Sequence, residues 1–102
     1  MLGVRVQIVR WVDDYQVGVV ECQLTDAGKR VWSFIEKLPM VTEKTLDEFS
    51  VYPQPGIIAC ELIEQMGDSI RIDTRRPWSV ESIEGQTLFD VLANHLIEFE
   101  FQ

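Results

Sequence analysis

Cys22, Cys60 and His95 are the chain's only thiols and its only imidazole. Thiol nucleophiles, soft-metal sites and histidine base catalysis would all have to be built from these three. Their spacing does not assemble them. A zinc site takes about four N or S ligands, usually with cysteines paired at short spacing. Here the two cysteines are thirty-eight residues apart, and neither CxxC nor HExxH occurs. There is no G-x-S-x-G elbow and no glycine-rich phosphate loop. His95 therefore reads as a surface or capping residue, and no metal or cofactor is expected. Cys22 and Cys60 fall on positions that alternation assigns to a core, where cysteine acts as a small hydrophobe. The carboxylate pairs Asp13-Asp14, Asp47-Glu48 and Glu98/Glu100 follow from an acidic composition and define no acid–base couple unless two converge across a cleft.

One stretch departs from this background: DTRRPWSVES, residues 73–82. Arg75 and Arg76 form the only adjacent basic pair in the second half of the chain. Arg76 and Trp78 share strand parity if Pro77 leaves it intact, and Glu81 is close by. A guanidinium over an indole face gains ~0.5–2 kcal/mol, and Arg and Trp recur at binding hot spots. The plainer alternative is an internal Arg–carboxylate pair with Trp78 covering one end of the fold. As a recognition surface, the stretch offers Arg76, Trp78 and Glu81 as binding residues, with Tyr52 at its edge.

The charge balance narrows the partners. Nine Lys and Arg face seventeen Asp and Glu, for a net charge of −8 in 102 residues. Residues 52–102 hold three of the basic and nine of the acidic side chains, and no Lys or Arg follows Arg76. Such a surface repels a phosphate backbone, which is normally bound by clustered cations. Nucleic acid and anionic membranes are excluded as expected partners, and a basic protein surface is favoured. Solubility alone would also account for the charge. No apolar run approaches the ~20 residues of a membrane span. MLGVRVQIVRW lacks the unbroken apolar centre of a signal peptide, so cytoplasmic residence with reduced thiols is expected.

The elements that would hold these residues are mostly strands. Residues 1–102 have the size of one domain. Val4, Val6 and Ile8 alternate with Arg5, Gln7 and Val9, which predicts a strand with one dry face. Residues 17–24 alternate again, with Val20, Cys22 and Leu24 on one face. Residues 29–37 follow after a turn at Thr25–Gly28, giving a three-stranded meander. Thr45-Leu46-Asp47-Glu48 matches a capping box and predicts one short helix near 42–50, with Leu46 and Phe49 turned inward. Pro53 and Pro55 end that helix. Gln54-Pro55-Gly56-Ile57 fits a type II turn leading into a strand, IIACELIEQM, whose start is apolar on both faces and needs cover on both. Gly67-Asp68 turns the chain into SIRIDT. Residues 78–82 read as extended. Residues 87–101 read as strand, a break near Asn94-His95, then strand, with a helix as the alternative.

These elements predict a mainly β fold, an antiparallel β-barrel or rolled sheet with one short helix. Three strands, a helix and two strands is an order that resembles an OB-type barrel, although fold likeness licenses no function. The expected function is a small acidic protein-binding module, not an enzyme: an inhibitor, an immunity-type neutraliser or an assembly partner. Trp78→Ala is expected to weaken its binding. The alternative is a small-molecule barrel in which Arg76, Trp78 and Tyr52 hold an anionic or aromatic ligand. A homodimer through the 97–101 edge is a third arrangement, because Phe99 and Phe101 would otherwise be wet.

Overall fold

The alternation at Val4, Val6 and Ile8 commits the N-terminal segment to a sheet, and a twelve-residue strand forms there. The computed structural model describes residues 1–101. Its strands are β1 (Leu2–Asp13), β2 (Val19–Thr25), β3 (Val31–Lys37), β4 (Gln54–Ala59), β5 (Glu61–Met66), β6 (Ser69–Asp73), β7 (Leu88–Leu92) and β8 (Leu96–Glu98). Two 3-10 turns, Leu38–Met40 and Ala93–His95, are the only helical segments among the described residues. The strands divide between a five-stranded sheet, ordered β3-β2-β1-β4 with β8 also on β1, and a three-stranded sheet, β5-β6-β7. Every pairing is antiparallel. No closed barrel is found among the described residues.

β1 organises the larger sheet. β4 pairs with it from Gly3 to Ile8 along one edge. The opposite edge is divided: β2 takes Gln7 to Asp13, and β8 takes Leu2 to Val4. Arg5 and Val6 lie in the interval between them, without a registered partner on that edge. The chain changes sheets at Cys60. Ala59 still pairs with Gly3, the Cys60 N–H donates to the Leu2 carbonyl at 3.0 Å, and Glu61 already pairs with Asp73 of the smaller sheet.

The core lies between the sheets. Val4, Val6 and Ile8 of β1 and Val20, Cys22 and Leu24 of β2 meet Ile70, Ile72, Phe89 and Val91 of the smaller sheet. Phe34 of β3 is fully buried and lies 5.6 Å from the Phe89 ring. The expected meander and the strand–break–strand reading of the C-terminal segment are both present.

Several expectations are corrected. No helix forms near 42–50. Asp47 instead folds its side chain onto the following backbone: Oδ1 accepts the Phe49 N–H at 2.8 Å, and the Asp47 N–H donates to Ser50 Oγ at 2.9 Å. Local bonds of this kind compete with helix. Leu46 packs against the core, but Phe49 is 86% exposed, not turned inward. The Gln54–Ile57 turn is also replaced, because these residues begin β4. Pro55 is tolerated there because Ile57, at the same parity, points its N–H away from β1 to the Val41 carbonyl at 2.9 Å. The missing proline donor thus falls on the outer side of the strand. The strand expected over 57–66 is cut at Cys60, so burial ends there: Ile58 and Ala59 are buried, while Leu62 and Ile63 are exposed. Residues 78–82 form no strand, although Val80 and Ser82 are buried.

Phe34→Ala removes the largest fully buried side chain. It is expected to lower the unfolding free energy by ~3–5 kcal/mol, read as a shifted urea midpoint.

Candidate functional site

Arg76 is exposed, and no hydrogen bond, ion pair or ring contact joins Tyr52, Arg76, Trp78 and Glu81 to one another among the described residues. The Tyr52 hydroxyl donates to the Asp47 carbonyl at 2.6 Å, and burial pushes its pKa up. Trp78 packs on Phe101, nearly parallel at 6.3 Å, and edge-on to Phe99 at 6.2 Å. Phe99 and Phe101 are therefore half-buried, and Ile97 and Glu98 are already paired with β1. The parity linking Arg76 to Trp78 is lost in a turn, where the Ser79 N–H bonds the Arg75 carbonyl at 2.7 Å and Ser79 has φ +55°. A cation–π contact does form elsewhere: Arg30 lies 3.7 Å from the Trp32 ring. Asp26 fixes both partners, accepting the Arg30 backbone N–H and the Trp32 indole N–H.

Glu81 has a different neighbour. Glu36, on the core-facing parity of β3, has its carboxyl pKa raised, first by burial and then by the charge of Glu81. The thiols are buried and unpaired with each other. Burial pushes both Cys22 and Cys60 up to about 12, with Glu36 and Glu21 adding to the effect at Cys22. Register keeps them apart. Cys22 sits opposite Ile8 of β1, and Cys60 is bonded to Leu2. Six residues of strand separate those anchors, roughly 20 Å, well beyond the reach of a disulfide.

Two surfaces remain as candidates. The first is the outer face of the smaller sheet. Because Ile70, Ile72, Phe89 and Val91 face the core, their neighbours face out, and register arranges these in three rows: Glu61, Asp73 and Leu88; Glu64, Arg71 and Asp90; Met66, Ser69 and Leu92. Arg71 is the only cation in the array. Its Nε and Nη2 donate to the two Asp90 carboxylate oxygens at 2.9 and 3.2 Å. That hydrogen-bonded pair holds Asp90 below the usual carboxylate range. Glu61, Glu64 and Asp73 form no ion pair among the described residues. Leu88 and Leu92 stand 46% and 40% exposed beside them.

The second is the outer face of the larger sheet, where Arg5 and Gln7 project opposite to the buried Val4, Val6 and Ile8. A polar cleft of about 240 Å³ opens between the end of β2 and the start of β8. An apolar cleft of about 290 Å³ lies on the β4 side of the same β1 residues. None of Tyr52, Arg76, Trp78 and Glu81 lines either cleft.

Comparison with family models, curated proteins and solved structures found no match to this chain.

No group of three or more His, Cys, Asp or Glu side chains among the described residues is placed to hold a metal ion. Among the described residues no helix is long and apolar enough to cross a membrane. A thiol with pKa near 12 is a poor nucleophile at neutral pH, since the thiolate is the reactive form.

Two outcomes follow. In the native protein at pH 8, Cys22 and Cys60 are expected to resist a thiol reagent such as dithionitrobenzoate, and to react at once in denaturant. Glu36 binds its proton more tightly folded than unfolded. Its contribution to stability is therefore present below the ordinary carboxyl value of 4.5 and is lost as pH rises through the higher folded value. Glu36→Gln is expected to raise the melting temperature at neutral pH, with the gain vanishing below pH 4.5 in a pH series of thermal melts.

Proposed function

We propose that the chain is a small protein-binding module that receives a basic protein surface on the outer face of β5-β6-β7. The single observation carrying this is the array itself: three carboxylates that form no ion pair among the described residues, on one sheet face with a single arginine, flanked by two exposed leucines. An antiparallel sheet commonly turns a polar face to water, so charge alone would be a solvated face. Leu88 and Leu92 add apolar area that such a face does not need, next to charges that would orient an incoming cation-rich partner. The reading is non-enzymatic. The module acts in the cytoplasm as an inhibitor, an immunity-type neutraliser of a basic toxin, or an assembly partner, with its two sheets as a rolled β scaffold.

The Arg76, Trp78, Glu81 and Tyr52 group is the weaker surface, because the Trp78 ring is packed against phenylalanines and the Tyr52 hydroxyl is bonded to Asp47. A small-molecule pocket made from Arg76, Trp78 and Tyr52 is weaker for the same reason. Homodimerisation through 97–101 is the weaker arrangement, because Phe99 and Phe101 pack against Trp78 and are half-buried.

The test is affinity capture followed by biosensor kinetics with the captured partner. The association rate is expected to fall about tenfold or more between about 50 and about 500 mM salt. Glu61→Lys with Glu64→Lys is expected to slow association similarly, while Leu88→Ser speeds dissociation. An association rate indifferent to salt and to the double charge reversal overturns the reading.

A further inference from the structure

The interval on β1 between β2 and β8 opens a cleft apart from the acidic face. Gln7 pairs with Gln23, and Val4 pairs with Leu96, so Arg5 falls where neither strand reaches. The polar cleft at this point is walled by Arg5, Gln7, Gln23, Thr25 and His95. Across β1, the apolar cleft is walled by Arg5 again, with Val41, Pro55, Ile57 and Phe101. Arg5 and Gln7 thus border both.

Three features of this place favour an anion with an apolar tail. Seventeen acidic residues are present in the chain, yet no Asp or Glu lines either cleft. Arg5 forms no ion pair and no side-chain hydrogen bond among the described residues, whereas Arg10, Arg30 and Arg71 each hold a carboxylate. The other polar walls are two carboxamides, a hydroxyl and an imidazole, all able to donate a hydrogen bond to an oxyanion. The second cleft supplies the apolar surface that small-molecule sites use for most of their contact.

The geometry points to a binding site for a small organic carboxylate, its head group on Arg5 and its hydrocarbon tail against Ile57 and Phe101. The arginine fork matches the two carboxylate oxygens. An inorganic phosphate would satisfy the head but leave the apolar cleft unused, and a neutral alcohol would do the reverse.

Isothermal titration calorimetry on the full chain separates these, with octanoate, 1-octanol and inorganic phosphate as probes. Octanoate is expected to bind at least about tenfold more tightly than either single-feature probe. It is also expected to change Trp78 emission, because Phe101 stacks on that indole. Arg5→Gln is expected to weaken octanoate about tenfold or more. Gln23→Glu, which sets a carboxylate opposite Gln7, is expected to do the same. Both substitutions lie on the outer face of the sheet, and unchanged circular dichroism would show the fold intact. If either variant fails to fold, the other carries the test. The proposal is overturned if octanoate does not bind, if octanol or phosphate binds equally well, or if folded variants retain the affinity.

Discussion

β1 spends both of its edges on three neighbours, and that shared pairing is the constraint from which the rest of the molecule follows. β4 fills one side, and β2 and β8 divide the other. The strand's inner face supplies Val4, Val6 and Ile8 to the core. Its outer face supplies the two side chains, Arg5 and Gln7, that border both clefts. Neither surface exists without the other, because the same period of two that drives valines inward drives Arg5 outward. The gap between β2 and β8 is likewise a product of register. It is as wide as the two β1 residues that neither strand covers.

Much of the strand content was legible because it is encoded locally. Alternation at residues 4–8 and 20–24 needs only neighbouring residues to be read, and Cys22 is buried on the parity it announces. The break at Ala93–His95 was legible for the same reason. Where reading failed, a long-range or competing bond decided. Thr45–Glu48 carries a helix-start pattern, but Asp47 has nearer partners in Phe49 and Ser50. The apolar run after Pro55 reads as one strand. Only the pairing of Glu61 with Asp73, against Ala59 with Gly3, reveals that it serves two sheets.

The candidate sites were less legible than the fold. Arg76 and Trp78 have the i, i+2 spacing that Arg30 and Trp32 also have, yet only the second pair stacks. The difference is an anchor. Asp26 holds both Arg30 and Trp32, while the backbone turns at Ser79 beside the first pair. The array on the smaller sheet joins residues from 61 to 92, and Arg5 and His95 wall one cleft from nearly opposite ends of the sequence. No window of sequence contains either set. The segregation of charge toward the second half was readable, and it did foreshadow which sheet is the acidic one.

The bond between Leu2–Val4 and Leu96–Glu98 has a kinetic meaning. β1 is synthesised well before β8, and closing so long a loop costs entropy before any contact repays it. Until β8 arrives, the edge at Leu2–Val4 lacks its eventual neighbour. The nascent protein therefore passes through a stage in which β1 is open to misdirected pairing, and the exposed polar side chains of Arg5 and Gln7 are what stand in the way of self-association along that line.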